Sequence, residues 1–291
     1  MNAKKLAMAA VSFASLCAFG LDGAIAGDGA KRNGEWISKI VPKSCNGTAA
    51  KHVRLMSFNI RMGCGHSDPF RLEKGSVGYL PKCAEVIRAA DPDYAGLQEV
   101  DRNSKRAGFM DQTKVVADLS GMHGEWVEKI KDYGISMLSK RRPVSVDNVL
   151  IEGQVHTRSL MISDFGDFAV ANTHFPLSAG KRLAAAATVK DALKKISARK
   201  IVFLMGDLNA VPDSPEIASL KEDFEVISDE VAPTWPAEKP ERVLDYIMVD
   251  KAHAARVRAV SRQTVAVPQA TDHAAVIVDV EIEQRSGVEF R

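Results

Sequence analysis

Short apolar runs closed by turn residues recur along the chain, at 53–60, 94–100, 135–139, 144–151, 158–163, 168–173, 201–206, 243–249, 257–267 and 274–282. Runs of this length, bounded by Gly, Pro, Asn or Asp, are strand signals. Two helical stretches are interleaved with them, 80–90, which stops at Asp91-Pro92, and the Ala/Lys-rich 179–198. The alternation predicts an α/β protein with mixed sheets. No internal repeat, low-complexity tract or change of composition marks a second domain, and one unit of about 240 residues is within the range of a single sandwich or barrel.

The first residues break this pattern. Lys4 and Lys5 precede an apolar run from Leu6 to Phe19 and then Ala24-Ile25-Ala26, the order of a cleavable export signal cut after Ala26. The run falls short of the ~20 residues that a membrane span needs. The mature chain is therefore expected to be exported, secreted or periplasmic, and to carry no transmembrane span. Residues 27–50 are polar and Gly-rich and read as an arm. The folded domain is expected at 51–283, with 284–291 as a tail.

With 291 residues, 46% hydrophobic and 26% charged, the chain can bury a large core, which excludes disordered and fibrous classes. Loss of 1–26 removes Lys4, Lys5 and Asp22 and leaves 37 basic and 36 acidic residues, a net charge of +1. That is no electrostatic footprint of a nucleic-acid binder, and the basic run Lys140-Arg141-Arg142 reads as a solvated turn. Of the cysteines, Cys45, Cys64 and Cys83 survive export, an odd number that leaves at least one unpaired. One bridge involving Cys45 is compatible with this count, and the sequence selects no partner for it. Neither a Cys-x-x-Cys pair nor a Cys/His cluster signals zinc. Asn46-Gly47-Thr48 is a glycosylation sequon with meaning only in a eukaryotic host, and a monomer is expected.

The chemistry sits where strands end. Five segments share one grammar, an apolar run that closes on a carboxylate, an amide or a histidine as a turn begins: Ser57-Phe58-Asn59-Ile60-Arg61, Gly96-Leu97-Gln98-Glu99-Val100, Ala171-Asn172-Thr173-His174-Phe175, Met205-Gly206-Asp207-Leu208-Asn209 and Ala270-Thr271-Asp272-His273. A polar residue at one strand end usually caps a turn, but five of them at one rim of a sandwich assemble a site. Glu99, Asp207 and Asp272, with the amide oxygen of Asn59 or Asn209, make an oxygen-only ligand set that suits Mg²⁺ or Mn²⁺ and not zinc. His174 and His273 remain for proton transfer or charge stabilisation.

In this order and spacing the segments, together with Leu244-Asp245-Tyr246, resemble the endonuclease/exonuclease/phosphatase superfamily to which DNase I belongs. The resemblance runs from about residue 53 to 280. It implies a DNase I-like four-layer α/β sandwich, two packed mixed β-sheets flanked by helices. It implies that Glu99 binds the principal metal, with Asn59 and Asp272 holding or orienting it, and that Asp207 and Asn209 position the attacking water and the phosphate. His273, oriented by Asp245, would lie near the nucleophile or the phosphate. His174 would donate to the phosphate, and Arg158 would contact it. The implied reaction is in-line attack of water on phosphorus, with the general base left open between Asp207 and His273.

Other features are weaker. Gly63-Cys64-Gly65 lacks the rest of any phosphate-loop fingerprint. His66, just beyond it, could reach the site rim but is not counted among the site residues, and His52, His123, His156 and His253 read as surface or packing residues. Trp235, in Pro233-Thr234-Trp235-Pro236, stands in a loop that would flank the site. The tyrosine motif of exonuclease III-like enzymes is replaced by Asn172-Thr173-His174, and the Trp-Cys-Asp-Arg run of inositol polyphosphate 5-phosphatases by Arg242-Val243-Leu244-Asp245-Tyr246. A lipid head group or small phosphate ester is the favoured substrate. A secreted DNase I-like endonuclease is the alternative, nucleic acid being disfavoured by charge, and a non-catalytic binding protein on the same fold is the alternative of another class.

Overall fold

The computed structural model describes residues 37–41, 50–65, 76–153 and 156–283. The expected signal, Cys45, the sequon, His66 and the 284–291 tail lie outside the described residues, as does most of the 27–50 arm. Elements are numbered in chain order. One six-stranded sheet has the order β11 (Val257–Ala266), β12 (Ala274–Ile282), β1 (Lys51–Asn59), β2 (Tyr94–Asp101), β4 (Tyr133–Ser139) and β3 (His123–Ile130). The other runs β5 (Ser145–Ile151), β6 (Arg158–Asp164), β7 (Phe168–His174), β8 (Ile201–Asp207), β10 (Asp245–Asp250) and β9 (Phe224–Val226). Both sheets are mixed: β1 pairs with β2, and β7 with β8, in parallel, and their other neighbours are antiparallel.

Four helices among the described residues cover the outer faces, α1 (Leu80–Ala90) and α2 (Gln112–Ser120) on the first sheet, α3 (Ala179–Ser197) and α4 (Pro215–Asp223) on the second. The strand alternation explains why. In β1, Val53 and Leu55 face the second sheet while Met56 and Phe58 pack under α1. In β8, Phe203 and Met205 face the first sheet while Val202 and Leu204 pack under α3. Strands buried on both faces read as unbroken apolar runs, which is how the central strands appear in the sequence. The four-layer α/β sandwich expected from the resemblance is the observed architecture.

One departure from the expected organisation has a plain cause. Residues 37–41, expected in a loose arm, belong to the folded unit: Ile40 is buried in the core under α1. The Val41 carbonyl accepts from Arg54 Nη2 at 3.0 Å, and its N–H bonds Gln263 Oε1 at 2.8 Å. Arg54 is itself fully buried and forms a two-pronged ion pair with Asp279 at 2.6 and 2.8 Å, so the segment supplies a carbonyl that this guanidinium requires. Cys64 and Cys83 are both free and buried, and burial pushes the Cys83 thiol up to about 12, that of an inert core residue.

Candidate active site

The site lies at the ends of β1, β2, β7 and β8 and the start of β10, because parallel pairing of β1 with β2 and of β7 with β8 brings their C-terminal ends to one rim. Register places His174 beside Asp207 and Asp207 opposite Asp245. Beneath this rim the sheets are tied by a buried amide bridge: Gln98 Nε2 donates to Asn172 Oδ1 at 2.7 Å, and Asn172 Nδ2 donates to the Leu97 and Ser136 carbonyls at 3.0 and 2.9 Å. This buried network, in which Gln98 Oε1 alone has no partner among the described residues, fixes how the two sheets meet.

Two backbone irregularities aim the carboxylates. The β2–β4 register shifts between Leu97 and Val100, and Glu99 inside this bulge has φ 57°. A bulge re-aims a side chain out of the sheet alternation, and here it turns Glu99 into the cavity. Gly206 has φ 151°, and a Cβ there would lie 2.0 Å from the Thr173 carbonyl oxygen. The residue before Asp207 is glycine because β7 approaches it too closely for any side chain.

Asp207 is the centre of the cluster. Its Oδ2 accepts from Asn59 Nδ2 at 3.0 Å and lies 3.6 Å from His174 Nε2 and 3.7 Å from His273 Nε2. Its Oδ1 accepts from the Asn209 backbone N–H at 2.9 Å, while the Asn209 side chain donates to the Phe175 carbonyl at 3.0 Å. Behind His273, Nδ1 meets Asp245 Oδ2 at 2.9 Å, and Asp245 Oδ2 also accepts from Thr234 Oγ1 at 2.6 Å. The expected Asp245–His273 pairing is therefore present, and Thr234 is a further anchor that the sequence reading did not name.

These groups open into a cavity of about 490 Å³ lined by Glu99, Arg158, His174, Asp207, Asn209, Asp272 and His273, along with Tyr133, Arg182, Trp235 and Arg242. All nine sequence-predicted site residues are thus together: seven line the cavity, and Asn59 and Asp245 stand directly behind them. The sequence reading missed Tyr133, Arg182 and Arg242. Tyr133 opens β4, and Arg182 sits in the first turn of α3. Arg242 stands three residues before Asp245 in a loop. No periodicity marks any of them.

Electrostatics follow from burial. Burial raises the Glu99 carboxyl above its ordinary range, with nearby Asp272 adding to the rise against the pull of His273. Asp207 is raised as well, by burial first and then by Asp245. Burial, then the charges of Arg158 and His273, hold His174 well below the ordinary imidazole value, so its ring is neutral. For His273 burial acts downward, but the Asp245 and Asp207 carboxylates outweigh it and lift the ring. Arg158 Nε and His174 Nδ1 are buried without a hydrogen-bond partner among the described residues.

The residues suit a hard divalent cation. Glu99 makes no ion pair among the described residues, and its one hydrogen bond is a long 3.4 Å contact from Asn59 Nδ2. A carboxylate so poorly compensated in a desolvated site calls for a cation. Asp207, Asp245 and His273 form the tightest acid–imidazole group, with ligand atoms within 4.8 Å. His273 Nδ1 bonds Asp245 at 2.9 Å and its Nε2 lies 3.7 Å from Asp207, while Glu99 and Asp272, the latter 3.4 Å from Arg61 Nε, offer further carboxylate oxygens at the cavity. Asn59 differs from its expected ligand role. Its Nδ2, not its oxygen, faces the carboxylates, since Oδ1 accepts from the Arg61 N–H at 2.9 Å. It orients Glu99 and Asp207 in this arrangement.

The basic run is neutralised rather than presented: Lys140 pairs with Asp91 at 2.7 Å and Asp93 at 3.3 Å, and Arg141 with Asp167, leaving Arg142 exposed.

The model of the Endonuclease/Exonuclease/phosphatase family matches residues 56–273. An endonuclease/exonuclease/phosphatase from Bacteroides vulgatus superposes with TM-score 0.65 at 20% identity, over 80% of this chain and 100% of its own. The mannosyl-6-phosphatase of Bacteroides thetaiotaomicron does so with TM-score 0.61 at 17% identity, over 78% of this chain and 99% of its own. The 2',3'-cyclic phosphatase ANGEL2, solved with adenosine-2',3'-vanadate, gives TM-score 0.62 at 14% identity, over 84% of this chain and 100% of its own. At these identities the likeness is one of fold. Among curated proteins no sequence matches this chain. By the extent of the family match, which spans every segment of the rim from β1 to His273, the chain belongs to the Endonuclease/Exonuclease/phosphatase family, a family of phosphoester hydrolases.

Proposed function

We propose that this chain is an exported, divalent-metal-dependent phosphoesterase acting on a lipid head group or a small phosphate ester. The observation that carries the reading is Asp207, held by Asn59 and the Asn209 N–H and faced by two imidazole Nε2 atoms at 3.6 and 3.7 Å at the floor of the cavity. Glu99 and Asp272 would hold the cation, and Mg²⁺ or Mn²⁺ suits their oxygens. When bound, such an ion neutralises phosphate charge and polarises water.

The protein groups do the rest. Water attacks phosphorus in line with the leaving oxygen, and Asp207 stands to take its proton. His273, fixed through Nδ1 by Asp245, presents Nε2–H to the reacting centre. Arg158 and His174 donate to the phosphate oxygens, where charge builds as the bond to the leaving alcohol breaks. Asn209, bonded at both its backbone and its side chain, fixes the Asp207 carboxylate. The export reading is supported by Lys4, Lys5 and the apolar run up to Ala24-Ile25-Ala26.

Hydrolysis of a choline phospholipid, an inositol phosphate and plasmid DNA in parallel with Mg²⁺ tests the proposal. Turnover of the lipid or the small ester, lost in Glu99→Gln and His174→Ala, is expected. Turnover of DNA alone replaces this reading with the endonuclease one. Binding without turnover of any of them replaces it with the non-catalytic one.

A further inference from the structure

Three guanidinium groups line the cavity, and the chemistry above uses one of them. Arg158 lies among Glu99, Asp207 and His174, where the phosphate reacts. Arg182 is engaged internally, its Nε with Glu216 and its Nη1 with the Leu177 carbonyl. Arg242 is exposed and has no carboxylate partner among the described residues, and neighbouring Glu241 is turned to Lys239 at 3.6 Å. Its guanidinium lies over the Trp235 indole with Cζ 4.4 Å from the ring centroid.

This stack is fixed to the reactive centre. Trp235 N–H donates to the Arg242 carbonyl at 3.0 Å, and Arg242 N–H donates back to the Trp235 carbonyl at 2.9 Å. The hairpin so formed is bound to the Asp272–His273 strand entry by the Ala237 N–H to the Asp272 carbonyl and the Ala274 N–H to the Thr234 carbonyl, both at 2.7 Å. The indole Nε1 points at Asp272 Oδ2 from 3.5 Å. The indole thus contacts Arg242 through its face and Asp272 through its edge.

Two consequences follow. A stacked guanidinium keeps its planar fork of donors free for phosphate or carboxylate oxygens. The indole face that would host a quaternary ammonium is already covered by a cation. Resting on the phosphoesterase reading, we propose that Arg242 is a specificity-determining residue that binds a second anionic group of the substrate, which is therefore a phosphate ester carrying a further phosphate or carboxylate and not a choline ester.

The test uses three matched series of ligands, from ethanediol to hexanediol bisphosphates, ω-carboxyalkyl phosphates and alkyl monophosphates of the same lengths. Their inhibition constants are measured against turnover of bis-p-nitrophenyl phosphate, and their dissociation constants by calorimetry. At one or more spacings a ligand with two anionic groups is expected to bind about tenfold tighter than its monophosphate, and Arg242→Gln to bring that ratio near one. Monophosphate affinity and turnover of the nitrophenyl ester should stay within about twofold in Arg242→Gln, and Arg242→Lys should keep part of the preference. Whichever series wins names the second group. No preference at any spacing, a preference that survives Arg242→Gln, or an equal weakening of all ligands overturns the proposal. Calorimetry reads the ratio even without turnover, so a chain that hydrolyses nothing refutes the proposed function while this assignment is still decided.

Discussion

At the scale of single residues, the site depends on groups whose partners are few. His273 owes its orientation to Asp245, whose other oxygen has no partner among the described residues. Asp245→Asn should leave the fold intact, lower kcat by about a hundredfold, within the range for a misaligned acid–base group, and change KM little. Steady-state kinetics with circular dichroism as a fold control checks this. A KM effect with unchanged kcat would instead assign Asp245 to substrate binding. The ion pair of Arg54 with Asp279 is a second residue-scale test, remote from the site. Asp279→Ala leaves a buried guanidinium with only two carbonyl partners, and breaking one side of a buried pair costs about 3–5 kcal/mol. Urea unfolding should show a loss of that size with the nitrophenyl-ester KM unchanged.

At the scale of elements, legibility followed burial. The central strands were readable because both faces of β1, β2, β7, β8 and β12 are apolar. Four elements were not read. In β3, Glu125, Glu128 and Lys129 interrupt the apolar pattern, since the strand lies at a sheet edge with one neighbour. The three residues of β9 are too short for any period. The nine-residue α2 and α4 fall below the length at which helical spacing is distinct, although Ser214-Pro215-Glu216 carries a start signal for α4. The site residues were legible because strand-end motifs keep their order, whereas Arg182 and Arg242 enter the cavity from a helix start and a loop with no pattern to mark them. Gly206 links element to site. Gly206→Ala places a methyl group against the Thr173 carbonyl, so it should destabilise the chain by about 1–3 kcal/mol and lower activity beyond the unfolded fraction by shifting Asp207. Full activity per folded molecule would show that β7 and β8 accommodate it without moving the carboxylate.

For the whole molecule, the end of the sandwich opposite the site is closed by an inter-sheet clasp, in which Asp167 from the second sheet meets Lys51 and Arg141 from the first. Burial acts to raise the Asp167 carboxyl, but its bonds to Lys51 and Arg141 outweigh this and hold it below its ordinary value. A depressed folded-state value contributes stability that is complete above the unfolded aspartate value of about 4 and is lost as the pH falls through the folded one. Asp167→Asn should therefore lower stability by about 1 kcal/mol, after allowance for solvent screening, at neutral pH, and the gap should close below about pH 4. A gap that stays constant with pH would show that the clasp acts by packing alone. Arg141 is engaged by this clasp, and neighbouring Lys140 by Asp91 and Asp93.

In the proposed function Glu99 serves a cation at the floor of this cavity, and hydrolysis depends on it. The most direct test is the Mg²⁺ dependence of bis-p-nitrophenyl phosphate turnover, measured on the chelated protein for wild type and Glu99→Gln. No turnover is expected after chelation, with recovery on adding Mg²⁺ or Mn²⁺, and in Glu99→Gln a loss of about a hundredfold or more with a higher cation requirement. Turnover that survives chelation, or a Glu99→Gln protein that responds to Mg²⁺ like wild type, would contradict this role of Glu99.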